Sequence, residues 1–97
     1  MPRVIVTPRA VEDLRDLVRG LGLPESTLPR VRRSLRILES FPLAGRALVG
    51  RWDGVRFLIG PWPWMILLYL HDVDHDAVYV VAVHDGRSST AATQDRG

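Results

Sequence analysis

The histidine and arginine that follow the last apolar run of the sequence are the residues best suited to chemistry on a phosphate. His84 and Arg87 lie in the segment His84-Asp85-Gly86-Arg87, directly after a run rich in valine. A histidine can titrate near neutral pH, and an arginine can clamp a phosphate. Two roles are open for this pair: a nuclease site or target contact, or a strand-end pair that hydrogen-bonds to the backbone of Asp85 or to solvent.

A third candidate cation, Arg56, interrupts the otherwise apolar run Val55–Ile59. Its side chain either turns into a concave site with Arg87 or is the solvent-facing member of an alternating strand. In a nuclease, Arg87 and Arg56 would stabilise the phosphorane, and His84 would donate or accept a proton. Arg87, His84 and Arg56 are therefore the candidate catalytic residues if the protein is a nuclease.

The segment from His71 to Asp76 is rich in metal-binding residue types, but its spacing fits no metal site. A calcium loop of the D-x-D-x-D-G type requires glycine and glutamate where the sequence has Ala77 and Val83. A zinc site would need His71 and His75 on one face, which a hairpin loop does not arrange. We expect a solvated loop here, with no metal and no cofactor.

A pair of tryptophans and a cluster of arginines could each bind nucleic acid or serve only in folding and solubility. Trp62 and Trp64 bracket Pro63, and their rings either stack on bases or, more commonly for tryptophan, pack in a core or against a partner. Four arginines crowd the second predicted helix: Arg30, Arg32, Arg33 and Arg36. They form either a phosphate-binding face or, more commonly, the solvated side of an amphipathic helix.

The elements that must position these side chains follow from a change of hydrophobic period near Phe41. Before Phe41 the apolar residues recur at spacings of three and four, and after it they alternate or run continuously. The sequence predicts a strand at Val4–Val6, a helix from Thr7-Pro8 to Gly20–Gly22, a helix from near Pro29 to Glu39–Phe41, a turn-rich connector at 41–46, and strands at 55–59, 64–70 and 77–83.

Length and composition favour one small domain that needs no disulfide. The chain has 97 residues, and its 46% apolar and 25% charged residues argue against a disordered chain. It has no cysteine and no apolar run long enough to cross a bilayer, so we expect a cytoplasmic protein. We expect a single domain over residues 1–90 and a flexible tail over residues 91–97.

The charge of the chain is divided unevenly between its two halves. All 13 basic residues are arginine; ten of them lie in residues 1–51 against five acidic residues, and three lie in residues 52–97 against six. The net charge of +2 alone does not predict nucleic-acid binding. The basic half fits either a phosphate backbone or an acidic segment of a partner.

The order of elements and several local motifs resemble the RelE/ParE toxin superfamily of bacterial type II toxin–antitoxin modules. The resemblance covers roughly residues 4–89 and rests on Val4-x-Val6-Thr7-Pro8-x-Ala10, Phe41-Pro42-x-x-Gly45-Arg46, Arg56, Tyr69 and the run Val80–Val83 before His84-Asp85-Gly86-Arg87. It implies an α+β fold of order β-α-α-β-β-β, with a helical hairpin packed on a small antiparallel sheet. It also implies a cognate antitoxin that wraps the toxin in a hetero-oligomer.

The superfamily divides by target, and the resemblance implies different residues for each division. RelE-like members cut mRNA in the ribosome, and ParE-like members poison DNA gyrase. RelE-like members usually have a Tyr-Arg pair where this sequence has Trp64-Met65, and an aromatic residue soon after the arginine that Arg87 matches. Residues 88–94 contain neither an aromatic residue nor a histidine. A ParE-like toxin is therefore the first hypothesis. A RelE-like ribonuclease with a degenerate site and a non-toxic relic of the fold are the alternatives.

Overall fold

The computed structural model describes residues 1–88, and the predicted flexible tail at 91–97 lies outside the described residues. A mixed five-stranded sheet carries helices on one face, which confirms the predicted α+β class with a helical hairpin on a small sheet. The elements are β1 (Arg3–Val6), α1 (Pro8–Leu21), α2 (Thr27–Ser34), α3 (Ile37–Ser40), β2 (Arg46–Ala47), β3 (Arg56–Ile59), β4 (Met65–Asp72) and β5 (Ala77–Asp85), with 3-10 turns at Gly50–Trp52 and Gly86–Ser88.

Helix α1 begins where the sequence predicts, because Thr7 and Pro8 form a helix start. The Thr7 hydroxyl accepts a hydrogen bond from the N–H of Ala10 at 3.3 Å and donates one to the Val80 carbonyl at 2.8 Å. Pro8 occupies the first helical position, where its missing N–H costs nothing. Gly22 ends the helix in left-handed geometry, with a φ of 64°. Thr7 thus caps α1 and also ties it to β5.

Helix α2 begins at Thr27, slightly before the predicted start near Pro29. The Thr27 side chain is fully buried, and its hydroxyl donates a hydrogen bond to the Pro24 carbonyl at 2.6 Å. Pro29 falls within the first helical turn, where no N–H is required for an intrahelical bond.

No helix in residues 1–88 is long and apolar enough to span a membrane.

The segment predicted as one second helix is divided into α2 and α3 by a tight turn at Leu35 and Arg36. Through this turn several N–H groups bond to carbonyls three residues back, as from Leu38 to Leu35 and from Glu39 to Arg36. Side chains three residues apart eclipse one another in such 3-10 geometry, so Leu35 and Leu38 both point into the core. The apolar spacing predicted helix here, but it did not predict the tightened turn.

The sheet has the strand order β1-β5-β4-β3-β2. Strands β2 to β5 pair antiparallel, and β1 pairs parallel with β5, so the sheet is mixed rather than wholly antiparallel. The predicted connector at 41–46 ends in the two-residue strand β2, which pairs with β3. The loop predicted at 71–76 is shorter than expected, because His71 and Asp72 continue β4.

The core lies between the helices and one face of the sheet. On β4 the alternate residues Met65, Leu67 and Tyr69 are fully buried in a cluster that includes Ala10 and Leu14 of α1. The other members of this core are Val31, Leu35, Leu38, Val78, Val80 and Val83. We call this side of the sheet the helix face.

A β-bulge keeps strand β5 in phase with the core. Tyr69 pairs with Val80 and Leu68 pairs with Ala82, so the register shifts by one residue between them. The shift brings Val83 onto the helix face beside Leu67. The N–H of Val83 donates to the Asp13 carboxylate at 3.1 Å, which provides a second tie between α1 and β5.

The opposite side of the sheet, which we call the open face, is apolar but carries no helix. Register pairs Phe57 with Leu68 and Ile59 with Ile66 on this side, one residue out of phase with the β4 residues that face the helices. Ile59 is 49% exposed. The apolar run at 64–70 predicted a central strand covered on both faces or a partner covering one of them. The helices cover one face. On the other face Leu68 and Ala82 are buried, whereas Ile59 and Leu70 are exposed.

Candidate functional site

Arg87 lies in the 3-10 turn after β5 and is held there by Asp85. Its Nε and Nη2 donate to the two oxygens of the Asp85 carboxylate at 3.1 and 3.0 Å, and its backbone N–H donates to the same group at 2.8 Å. These bonds raise the pKa of Arg87 despite partial desolvation. The Asp85 side chain is only 10% exposed, whereas that of Arg87 is 56% exposed. The arginine is therefore fixed at one edge and open to solvent at the other.

Arg87 is also the last member of a stacked ladder that wraps one end of the sheet. The Trp62 and Trp64 rings stack with centroids 6.0 Å apart and an interplanar angle of 24°. The guanidinium of Arg30 lies 4.7 Å from the Trp62 centroid, and that of Arg87 lies 4.3 Å from the Trp64 centroid. Each indole already has a cationic partner, which argues against base stacking.

The structure thus joins residues that the sequence analysis considered separately. The sequence predicts Arg30 in a solvated or phosphate-binding face of four arginines, and it predicts that the two tryptophans either stack on bases or pack in a core or against a partner. Arg32, Arg33 and Arg36 are exposed, but Arg30 is half-buried over Trp62. No local pattern joins α2 to the end of β5, so only the fold could reveal the ladder.

His84 lies on the open face close to Arg87. It pairs across the strands with Ile66, whose side chain lines the same groove as Arg87. The side chain is exposed, and within residues 1–88 it makes no hydrogen bond or ion pair. The structure therefore brings two of the three candidate site residues to one end of the sheet. It gives His84 no orienting partner of the kind that catalytic histidines usually have.

Arg56 does not join this pair. Its Nη1 donates to the carbonyls of Gly45 at 2.8 Å and Leu43 at 3.2 Å, and the residue is half-buried. In the register Arg56 lies opposite Tyr69 on the helix face, three positions along β4 from Ile66, or roughly 10 Å. Neither predicted orientation describes it, because the carbonyls of the connector bind the guanidinium that would otherwise face Arg87 or solvent.

The connector at 41–46, one of the motifs that resemble the family, packs beside Arg56 and Tyr69. The N–H of Gly45 donates to the Tyr69 hydroxyl at 2.8 Å. A Cβ on Gly45 would lie 2.5 Å from the Phe57 carbonyl oxygen and 2.7 Å from Cε1 of Tyr69, so only glycine fits. Burial raises the pKa of Tyr69, although the Gly45 hydrogen bond and the charge of Arg56 oppose this. We call Gly45, Arg56 and Tyr69 the connector lock.

Met65 occupies the position where the resemblance to RelE-like members expects an arginine. Its side chain is fully buried in the core on the helix face. Its register partner is Asp85, the residue that binds Arg87. The position contributes packing rather than charge, so Arg87 has no second cation from this strand beside it.

The segment His71–Asp76 forms the end of the β4–β5 hairpin. Nδ1 of His75 lies 2.8 Å from Oδ2 of Asp72, and the backbone N–H of His75 also donates to this carboxylate. Burial acts to raise the pKa of Asp72, but the hydrogen bonds from His75 outweigh it, so the pKa is lowered. Among residues 1–88, no three histidine, aspartate or glutamate side chains are grouped so as to hold a metal ion.

Solved structures similar to this chain include toxins and toxin–antitoxin complexes. The chain is 25% identical to one in the RelBE2 toxin–antitoxin complex of Mycobacterium tuberculosis, with a TM-score of 0.60, covering 88% of this chain and 99% of that one. The isolated RelE toxin of E. coli is 15% identical, with a TM-score of 0.66 and coverage of 99% and 96%. The intact E. coli RelBE complex is 13% identical, with a TM-score of 0.65 and coverage of 88% and 96%. The E. coli likenesses establish the fold alone.

A family comparison goes further than these structural likenesses. No curated protein sequence matches the chain. The family described as the ParE toxin of the type II toxin–antitoxin system, parDE, matches residues 4–89. This is the region over which the sequence motifs resembled the RelE/ParE superfamily, and it contains the connector lock, the ladder and the open face. The chain therefore belongs to the ParE toxin family of type II toxin–antitoxin systems.

Proposed function

We propose that this toxin acts in the cytoplasm by binding and inhibiting DNA gyrase, and that a cognate antitoxin neutralises it. The observation that carries the proposal is that the candidate cations do not converge on one site. Connector carbonyls hold Arg56 away from Arg87, and a buried methionine occupies the remaining cation position, so neither joins Arg87 at the end of the sheet. Cleavage of RNA needs several groups that act together on one phosphate. This arrangement favours a surface that binds a protein over a nuclease site.

The open face supports a protein partner. Ile59 of β3 and Leu70 of β4 lie on this side and are 49% and 37% exposed, and no helix of the described chain packs on it. Between them Leu68 is buried. Extended apolar surfaces on small proteins commonly mark protein–protein contacts. The M. tuberculosis RelBE2 structure and the intact E. coli RelBE structure named above are toxin–antitoxin complexes. By analogy, the cognate antitoxin of this chain covers apolar surface that the free toxin exposes.

The antitoxin part of the proposal has its own test. Expressed alone, the chain should be toxic or poorly soluble, and co-expression of the antitoxin gene beside it should relieve both effects. A suitable control is an antitoxin from an unrelated module expressed at the same level. A harmless monomer that stays monodisperse at high concentration would contradict the expectation.

The target is tested by induced expression in bacteria, with DNA breaks and mRNA integrity followed in parallel. We expect DNA breaks and an arrest of supercoiling before any loss of mRNA. Overexpression of a gyrase variant that resists the toxin should restore growth. Rapid cleavage of translated mRNA, with DNA intact, would assign the chain to the RelE-like group instead.

One observation favours the RelE-like ribonuclease as a second candidate. His84 and Arg87 both lie beside one groove, where a proton carrier and a cation could act on the same phosphate. If this candidate is right, purified protein cuts ribosome-bound mRNA at a fixed codon position, and His84→Ala abolishes cutting. A chain that does neither and does not slow growth would be a non-toxic relic of the fold.

A further inference from the structure

A groove of about 460 Å³ lies on the open face next to Arg87. Its lining residues are Ile59, Pro63, Trp64, Ile66, Gly86 and Arg87. All but one of these are apolar or glycine, and the one charged group is the guanidinium that the ladder holds. The groove therefore combines an apolar floor with a single cation at its rim.

One edge of the Arg87 guanidinium at the rim is hydrogen-bonded to Asp85, and the other edge faces solvent. Nε and Nη2 donate to Asp85, and the face of the group lies over Trp64. Within residues 1–88, Nη1 donates no hydrogen bond, and the side chain is 56% exposed. An arginine fixed in this way loses little conformational entropy when it binds an anion, which favours recognition at the free edge.

Gly86, directly before Arg87, allows the turn to pack closely against strand β4 at the floor of the groove. Its N–H donates to the Trp64 carbonyl at 2.6 Å. A Cβ at Gly86 would lie 3.0 Å from Cδ1 of Ile66 and 3.1 Å from that same carbonyl oxygen. The turn is therefore pressed against β4, and Ile66 and the arginine are held at a fixed spacing.

We propose that this groove binds a segment of a partner protein in which an apolar side chain stands next to a carboxylate. The apolar side chain lies against Ile59 and Ile66, and the carboxylate accepts from the free edge of Arg87. Asp85 already pairs with the guanidinium, but the exposed edge of Arg87 is the one charged group that lines an otherwise apolar groove, so charge complementarity favours a carboxylate beside an apolar group. The partner is the gyrase target, so the inference rests on the proposed function and describes how the toxin would recognise that target.

Peptide titration of the full isotope-labelled chain, followed by NMR, tests the groove directly. The probes are N-acetyl-Ile-Leu-Asp amide and its Asn counterpart, which differ only in charge. The Asp peptide should shift the methyl resonances of Ile59 and Ile66 and the indole resonance of Trp64. We expect it to bind about five-fold more tightly than the Asn peptide, as for a partly exposed ion pair.

Two matched variants assign the preference to the rim cation. Arg87→Gln should abolish the preference for the Asp peptide, whereas Arg33→Gln on exposed α2 should retain it. Equal affinity of the wild-type chain for both peptides would overturn the proposal. So would shifts that map to another surface, a preference that survives Arg87→Gln, or selective binding of an RNA trinucleotide in place of the peptides.

The same protein sample separates this inference from the proposed function. If the chain inhibits gyrase but does not distinguish the peptides, the groove proposal fails and the protein-binding function stands. If it distinguishes the peptides but leaves gyrase active, the groove is a recognition site and the target assignment fails.

Discussion

Arg56 and Arg87 both donate hydrogen bonds to oxygen atoms of their own chain, but their surroundings differ. Arg56 reaches back to the connector on the helix face, where Gly45 and Tyr69 complete a buried lock. Arg87 lies at the other end of the sheet, and more than half of its side chain is exposed. Arg56 therefore stabilises the fold, whereas Arg87 is available to bind a partner. Substitution of Arg56 should lower stability, and substitution of Arg87 should lower binding.

The largest effect should come from adding a methyl group inside the connector lock. Gly45→Ala would place Cβ within 2.5 Å of a backbone oxygen and should lower the free energy of unfolding by about 2–3 kcal/mol. Gly20→Ala is the matched control, because its added methyl group meets no atom within 4 Å apart from its chain neighbours and the backbone of its own helix. In the helix this control should gain about 0.5–1 kcal/mol. Urea denaturation measures both, and equal stabilities would contradict the lock.

Removing the cation of the lock should cost less. Arg56→Met preserves most of the side-chain volume but removes the two hydrogen bonds to connector carbonyls, for a loss of about 1.5 kcal/mol. Arg33→Met is the control, because Arg33 is exposed and should change stability by less than about 0.5 kcal/mol. If both variants unfold at the wild-type urea concentration, Arg56 does not stabilise the connector.

The lock should also make stability depend on alkaline pH. Burial raises the pKa of Tyr69 in the folded chain, so the folded state holds its phenolic proton more tightly than the unfolded state. This contribution is complete below the unfolded pKa of about 10 and is lost as pH rises through the folded pKa. Thermal unfolding from pH 8 to 11 should show the decline in wild type and in Tyr79→Phe, but not in Tyr69→Phe.

The smallest effect should come from the far end of the ladder. Arg30→Gln removes the cation over Trp62 and should cost about 0.5–1 kcal/mol. It should also change tryptophan fluorescence in the folded state. Arg32→Gln, on the same helix but outside the ladder, should change neither property. Unchanged fluorescence in Arg30→Gln would mean that the cation and ring are not stacked in solution.

The sequence predicts those parts of the molecule that depend on local chemistry. Thr7 and Pro8 fix the start of α1, and the change of period near Phe41 marks the passage from helices to strands. The tight turn at Leu35 was missed because helical and 3-10 geometry both bury residues spaced three apart. Strand β2 was missed because its two residues, Arg46–Ala47, carry no strand pattern and form a strand only by pairing with β3.

The candidate site was less accessible to sequence reasoning, because its contacts join distant segments. The position of Arg87 could be anticipated from the end of an apolar strand, but its ladder needs Arg30 from α2. Alternation suggested that Arg56 faces a concave site or solvent. It did not show that the connector returns to supply carbonyls. A glycine in a turn-rich segment, Gly45, gave one local signal of a close approach.

We propose that the Arg87 end of the sheet recognises a protein target, whereas the Arg56 end maintains the fold. Inhibition of gyrase supercoiling by purified chain tests it most directly, with the concentration of folded protein matched by circular dichroism. The account predicts that wild type and Arg56→Met inhibit equally, and that Arg87→Ala remains folded but loses at least about ten-fold in potency, or about 1.4 kcal/mol of binding. Full inhibition by Arg87→Ala, or loss of inhibition in folded Arg56→Met, would contradict it.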